Sequence, residues 1–202
     1  LTVDHERPDV RLVPLGRATP ETTDLREALF DHDLPPEQLR FTGLPARTLP
    51  EADADPARLA YAIVVGAATI DGERDARARC AGFGVLDGNV GALPVDEPER
   101  AVLMRAYYVT PQWQGRGIGR TSCAPPLLDR PASTIAPRAE KIVLCVNRDN
   151  LSAQRVYTAA GFAFTGTTVP GNAGPQYVMA RPLDIEARPE PRPRHRRTEN
   201  PQ

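Results

Sequence analysis

Six residues, Gln114-Gly115-Arg116-Gly117-Ile118-Gly119, have the make-up of a loop that takes hold of an anion. Glycine lets a backbone adopt positive φ and come close to a ligand. An apolar run, Ala101 to Val109, precedes the loop, and its Tyr107, Tyr108 and Val109 favour a strand. A turn at Thr110-Pro111 separates the two, and Arg120-Thr121-Ser122-Cys123 can open a helix beyond. Strand, glycine turn and helix start aim free N–H groups and the helix dipole at a phosphate. Arg116 and Arg120 add positive charge. Two familiar loops are excluded by spacing. A G-x-G-x-x-G fingerprint begun at Gly115 would need glycine where Arg120 stands, and the Gly-Lys-Ser/Thr of a P-loop is missing. The residues present fit Q-x-x-G-x-G, through Gln114, Gly117 and Gly119. On these six residues alone a glycine-rich surface turn remains open.

A second pattern lies downstream. Asn150-Leu151-Ser152-Ala153-Gln154-Arg155-Val156-Tyr157, followed by Ala160-Gly161-Phe162, reads N-x-x-A-x-x-x-Y-x-x-x-G-F. The two patterns, in this order and each behind a strand, resemble motifs A and B of the GNAT N-acetyltransferases, from about Val10 to Leu183. The resemblance implies an α/β, GNAT-like acyl-CoA N-acyltransferase fold: a mixed, mostly antiparallel central sheet flanked by helices, its motif-bearing strands splayed. It implies acetyl-CoA as co-substrate. Tyr108 and Val109 would lend backbone groups to the pantetheine arm. Gln114, Gly115, Arg116, Gly117, Ile118 and Gly119, with Arg120 behind them, would hold the pyrophosphate through main-chain N–H groups. Asn150 would meet the pantetheine amide region, and Tyr157 would sit near the thioester sulfur.

The chemistry is coherent with those roles. An amine attacks a thioester carbonyl, an oxyanion develops, and a thiolate leaves. A donor aimed at the oxyanion is worth about 2.7–4 kcal/mol, and the Val109 N–H is the candidate. Tyr157, with a reference pKa of about 10, holds a proton at neutral pH and can give it to the thiolate. Its other reading is a tyrosine that packs a helix onto the sheet. For the base that accepts the amine proton, Glu97, Glu99, Asp87 and a water chain all stand open.

A narrower likeness joins Pro36-Glu37-Gln38-Leu39-Arg40-Phe41-Thr42, Asp55-Pro56-Ala57-Arg58, Leu103 to Val109 and Ala173-Gly174-Pro175-Gln176 to the spermine/spermidine-acetyltransferase-like branch. It implies a small amine acceptor, polyamines among the candidates, and is compatible with a homodimer. Two rival readings are a degenerate domain that binds acyl-CoA or a partner without turnover, and a peptide or protein N-acetyltransferase.

The whole chain sets bounds. Its 202 residues suit one domain with tails. Lys+Arg total 25 against Asp+Glu 26, which lacks the basic surplus of a nucleic-acid binder. Cys80, Cys123 and Cys145 are too few and too scattered for a disulfide framework or a zinc pattern, and suit a reducing compartment. His5, His32 and His195 stand far apart, so no metal is expected. No apolar run approaches the ~20 residues of a membrane span, and the expected location is cytoplasmic.

The elements that would position these residues follow. Residues 1–9 are expected to fray, 10–185 to form the acetyltransferase domain, and the Pro/Arg/Glu-rich 186–202 to be a disordered tail. Val10 to Leu15 alternates as a strand. Thr19-Pro20-Glu21-Thr22 starts a helix, and Pro36 starts a short second one. Pro45 to Asp55 reads as a loop whose Glu51, Asp53 and Asp55 form a solvated face rather than a cation site. Strands follow at Tyr61–Val65, Cys80–Leu86, Lys141–Val146, from Phe162, and Gln176–Leu183. Gly66 to Arg79 reads as a turn and polar insertion. Pro125-Pro126 should stop the motif A helix near Ala124, because an interior proline costs about 3 kcal/mol or more. Gly161 should end the helix that begins at Leu151.

Overall fold

The computed structural model describes residues 9–91 and 93–184. The expected frayed start, all but Asp9, and the expected tail 186–202 lie outside the described residues. The chain builds β1 (Val10–Pro14), α1 (Pro20–Phe30), α2 (Pro36–Leu39), α3 (Pro45–Asp53) and β2 (Arg58–Val65). It continues with α4 (Gly72–Arg79), β3 (Cys80–Asp87), β4 (Ala101–Val109), α5 (Ile118–Cys123) and α6 (Asp129–Ile135). Then come β5 (Lys141–Asn147), α7 (Leu151–Ala159), β6 (Ala163–Val169) and β7 (Gln176–Pro182).

Among the described residues, the strands make one seven-stranded sheet in the order β1-β2-β3-β4-β5-β7-β6. Every pairing is antiparallel except β4 with β5. Alternation along β2 creates two core layers, because successive side chains point to opposite faces. Ala60, Ala62 and Val64 pack with Leu25 and Leu29 of α1, Leu49 of α3 and Ala76 of α4. Tyr61 and Ile63 pack with Ile118 and Cys123 of α5, Leu128, Ala132 of α6 and Tyr157 of α7. The α/β fold with helices on both faces of a mostly antiparallel sheet is thus the one the resemblance implied.

Two stretches differ from the sequence reading. The expected loop at Pro45 to Asp55 contains α3. Pro45 stands at the first helical position, where its missing N–H is no loss. Burial of Leu49 and Ala52 then holds the helix despite Pro50 within it. The expected polar insertion contains α4, with only Ala76 buried. Ion pairs at helical spacing support it, Arg77 with Glu73 and Arg79 with Asp75, both at 2.8 Å. A helix of five charged residues, two alanines and a glycine offers little apolar periodicity to read.

The proline-rich segment behaves as the sequence requires and is then closed from elsewhere. Helix α5 ends at Cys123, ahead of Pro125-Pro126. Helix α6 places Pro131 in its first turn, where no intrahelical acceptor is missed. Arg181 of β7 spans the gap. Its Nε and Nη2 donate to the Cys123 carbonyl at 3.2 and 3.1 Å, and its Nη2 also pairs with Asp129. The other Asp129 oxygen accepts the Asp184 N–H at 2.8 Å. Both side chains are buried, and the guanidinium lies over the Phe162 ring.

Removing one member of a buried ion pair strands the other. Arg181→Met is therefore expected to cost about 3–5 kcal/mol of stability in urea unfolding, with much of it regained in the Arg181→Met/Asp129→Leu double variant. A single-variant loss below about 1 kcal/mol, the scale of an exposed pair, would contradict this bridge.

Candidate active site

The site begins where β4 and β5 stop pairing. Their parallel register runs only from Ala101–Lys141 to Met104–Leu144. Strand β4 continues to Val109 and β5 to Asn147 with no further partners between them. The cause lies in β4. Ala106 adopts φ 50°, and the β3 register jumps from Val85–Arg105 to Phe83–Tyr108. Ala106 and Tyr107 together oppose Gly84, which is a bulge, and a bulge bends and twists its strand. Gly82 lets β3 follow the bent strand closely, because a Cβ there would strike the Tyr108 carbonyl oxygen. Strand β5 meanwhile stays registered on β7 from Lys141–Pro182 to Asn147–Gln176. The two strands are thus held to different neighbours, and a gap opens between them.

A cavity of about 720 Å³ occupies this gap. Its walls include Leu34 and Tyr108 from the α1-side core layer and Val146 and Tyr157 from the other. The cavity therefore passes through the plane of the sheet.

The glycine loop forms one end of it. A single 3-10 turn, Pro111–Trp113, leads to Gln114. Gly115 and Gly117 then take φ 74° and 78°, conformations open to glycine at little steric cost. Gly117 is the residue before α5, so the following N–H groups have no intrahelical partners. The Gln114 carboxamide donates to the Val109 carbonyl at 2.7 Å and to the Gln38 side chain at 3.0 Å, tying loop, strand and α2 together. The Arg116 side chain lies over the Trp113 ring and is not part of the cavity wall. Ile118 is buried in the core and anchors the loop, whereas Gly115, Gly117, Gly119 and Arg120 reach the cavity. Tyr107 holds the turn from below, donating to the Gly119 carbonyl at 3.2 Å with the Ser122 hydroxyl 2.8 Å away.

Val109 lies at the edge of the opening. Thr110 N–H donates to the Ala81 carbonyl at 2.8 Å. Alternation in an antiparallel ladder then turns the Val109 N–H away from β3, towards the gap. Tyr157 faces the cavity from α7, its ring between Tyr107 and Phe162 at centroid distances of 5.9 and 6.0 Å. Burial, with Cys123 nearby, pushes its phenol well above the ordinary value, so the hydroxyl keeps its proton throughout the neutral range. Asn150 lines the cavity, but its side-chain Oδ1 is engaged as the cap of α7, accepting from Ala153 N–H at 3.1 Å.

The acidic candidates for a proton acceptor fall elsewhere. Asp87 pairs with Arg58 at 2.9 Å and Arg105 at 3.2 Å, opposite Leu103 in the ladder. Glu97 and Glu99 precede β4. All three sit at the Ala101 end of that strand, roughly 20 Å or more from Val109 at about 3.4 Å per residue. Asp53 is taken up by Arg26 at 2.7 Å and Asp55 by Arg58 at 3.4 Å, and neither reaches the cavity. Among the cavity-wall residues that sequence reasoning missed are Leu34, Thr42, Cys145 and Asn147. Cys145 and Asn147 were within reach of a strand-end argument, since β5 must face the gap once it splays. Arg40 and Asp149 meet across the mouth at 3.8 Å. On the α1 side, the Tyr108 hydroxyl bonds His32 Nδ1 at 2.9 Å. Among the described residues, no cluster of three His, Cys, Asp or Glu side chains could hold a metal, and no helix is long and apolar enough to cross a membrane.

The family model for the acetyltransferase (GNAT) family matches residues 26–162, a span that contains both motifs. The chain belongs to that family, and so to the acyltransferases. Compared by sequence with curated proteins, it matches none. Solved structures of similar shape include an aminoglycoside acetyltransferase AAC(6')-Ib with coenzyme A, at TM-score 0.56 and 19% identity, covering 89% of this chain and 96% of that one. The same enzyme with paromomycin and acetyl-CoA gives 0.57 and 17%, covering 89% and 95%. A chimera of the Vibrio cholerae spermidine N-acetyltransferase SpeG and hSSAT gives 0.51 and 18%, covering 87% and 96%. At such identities the likeness establishes the fold.

His32 supplies a pH test of this geometry. Burial lowers its pKa from the ordinary 6.5. Below that value the unfolded chain takes up a proton that the folded chain resists. The stability linked to neutral His32 is present above 6.5 and is lost as pH falls towards the folded value. The stability gap between wild type and His32→Gln should therefore shrink from about pH 7.5 to about pH 5 in thermal melts. A gap that is constant or grows would contradict a buried neutral His32.

Proposed function

We propose that the chain is an acetyl-CoA-dependent N-acetyltransferase that acts on a primary amine of a small molecule. The observation that carries this reading is the cavity through the sheet, which joins the glycine loop to an open wall on the α1 side. Its volume lies within the ~300–1,000 Å³ of small-ligand sites. The thioester supplies an activated acetyl carbonyl. Gly115 to Gly119 bind the pyrophosphate through main-chain N–H groups with Arg120 behind them, whereas the Gln114 N–H expected to join them is taken by the Pro111 carbonyl at 3.2 Å. Tyr108, Val109 and Asn150 orient the pantetheine arm. The Val109 N–H receives the oxyanion that develops as the amine attacks. Tyr157 donates from its hydroxyl to the departing sulfur. The expected domain, 10–185, is the unit that would carry this activity.

Amine acceptors are supported by the family and by neighbours whose acceptors are an aminoglycoside and spermidine. Polyamines are the finer expectation, from the branch resemblance. Inactive binding is the weaker reading, because Arg181 and Asp129 close the proline break while the loop keeps its glycine conformations. The direct test is free-thiol release from acetyl-CoA with a panel of polyamines, aminoglycosides and peptides. Release with free amines supports the proposal, and cofactor binding with no release for any acceptor overturns it.

Two variants probe the parts. Gly117→Val puts a β-branched residue where φ is 78°, and should weaken acetyl-CoA binding strongly in calorimetry while the sheet stays folded. Unchanged affinity would remove the loop from the cofactor site. Tyr157→Phe should lower kcat by about 10²–10⁴ with little change in KM for acetyl-CoA, measured in single turnover. A folded variant within about threefold of wild-type kcat would reduce Tyr157 to a packing residue.

A further inference from the structure

The acid proposed for the reaction lies on one side of the sheet, and the wall opposite carries a titratable pair that the reaction has not used. Tyr157 packs in the layer of α5 to α7, and Tyr108 in the layer of α1, α3 and α4. Both line the same cavity. A thioester threaded through the gap would present its sulfur towards Tyr157 and its carbonyl carbon towards an amine arriving from the Tyr108 side.

His32 stands behind Tyr108. It lies one residue beyond the end of α1, after the cap Asp31, and its backbone N–H donates to the Leu29 carbonyl at 3.2 Å, which fixes the residue to the helix end. Its ring meets Tyr108 edge-on at 5.8 Å, and Nδ1 lies 2.9 Å from the phenol oxygen. In the Nε2–H tautomer, Nδ1 carries the lone pair and accepts from Tyr108 O–H. We propose that Tyr108 and His32 form the relay that takes the proton from the acceptor amine, a role that rests on the acetyl transfer proposed above.

The step balances. The amine nitrogen forms the new C–N bond and loses a proton to the Tyr108 oxygen. Tyr108 passes its own proton to His32 Nδ1, and the C–S bond breaks with its electron pair left on sulfur. Burial keeps His32 neutral and receptive near pH 7, and keeps Tyr108 un-ionised, so it conducts a proton without holding charge. The groups around His32 are Asp31 and Asp33 from its own segment, Arg77 of α4 held on Asp31 at 2.6 Å, the neutral Cys80 thiol of β3, and Tyr108 of β4. Asp31 favours the imidazolium that the step creates.

The test is the pH profile of kcat/KM with the best amine of the panel, for wild type, His32→Gln and Tyr108→Phe, alongside acetyl-CoA affinity and melting temperature. Glutamine still accepts from Tyr108 but cannot take a proton. His32→Gln should lose about 10²–10⁴ in kcat and should lack the acid limb contributed by His32, with acetyl-CoA affinity unchanged. The amine's own ionisation affects both proteins alike, so the difference between profiles is the readout. If His32→Gln fails to fold, Tyr108→Phe decides, since it removes the relay oxygen and must show the same loss. Thiol release with coincident profiles and a kcat within about threefold overturns the relay alone. No release by wild type with any amine overturns the transfer itself, and the relay with it.

Discussion

Everything distinctive about this molecule depends on β4 being unable to stay straight. The Ala106 bulge keeps the far end of β4 on β3 while β5 remains on β7. An intact parallel pairing would place Val109 and Cys145 in a closed ladder with no room for a ligand. A non-glycine residue at positive φ costs of order 1–3 kcal/mol and persists only where its surroundings over-determine it. Here they do. Gly82 gives β3 the clearance to follow, and Tyr107 and Tyr108 pack the strand into the two layers.

The gap then organises the charges and donors around it. On one side the glycine loop is pinned by Gln114 to the Val109 carbonyl, so the anion-binding turn and the strand edge keep one geometry. On the other, His32 and Tyr108 form a buried polar pair against the wall where an acceptor would enter. The Arg181–Asp129 bridge has an indirect part. By taking up the Cys123 carbonyl it lets a six-residue helix end at two prolines without leaving its last turn open.

Much of the fold was legible in the sequence because its signals are local. Strands at Tyr61–Val65, Cys80–Leu86 and Lys141–Val146 show as apolar runs, and Thr19-Pro20 and Gly161 mark helix ends that the structure keeps. The glycine loop and Tyr157 were readable as a group because each sits within a short stretch of sequence, and both line the cavity. The rest was not local. Helix α4 rests on ion pairs, and α3 on the burial of Leu49 and Ala52 beneath two prolines. Proximity to the gap is decided by strand direction: Asp87, Glu97 and Glu99 fall at the Ala101 end of β4, whereas His32, far from both motifs in sequence, is brought beside Tyr108 by α1. Arg181 likewise could not be matched to Asp129 before the sheet order placed β7 beside β5.

A crystal structure with acetyl-CoA bound shows whether the cofactor threads the sheet between β4 and β5. The pyrophosphate is expected on the N–H groups of Gly115 to Gly119, the pantetheine between Val109 and Cys145, and the thioester carbonyl oxygen within hydrogen-bonding reach of the Val109 N–H. Acetyl-CoA bound outside the gap, or a β4–β5 ladder that closes when the ligand is present, would contradict that threading.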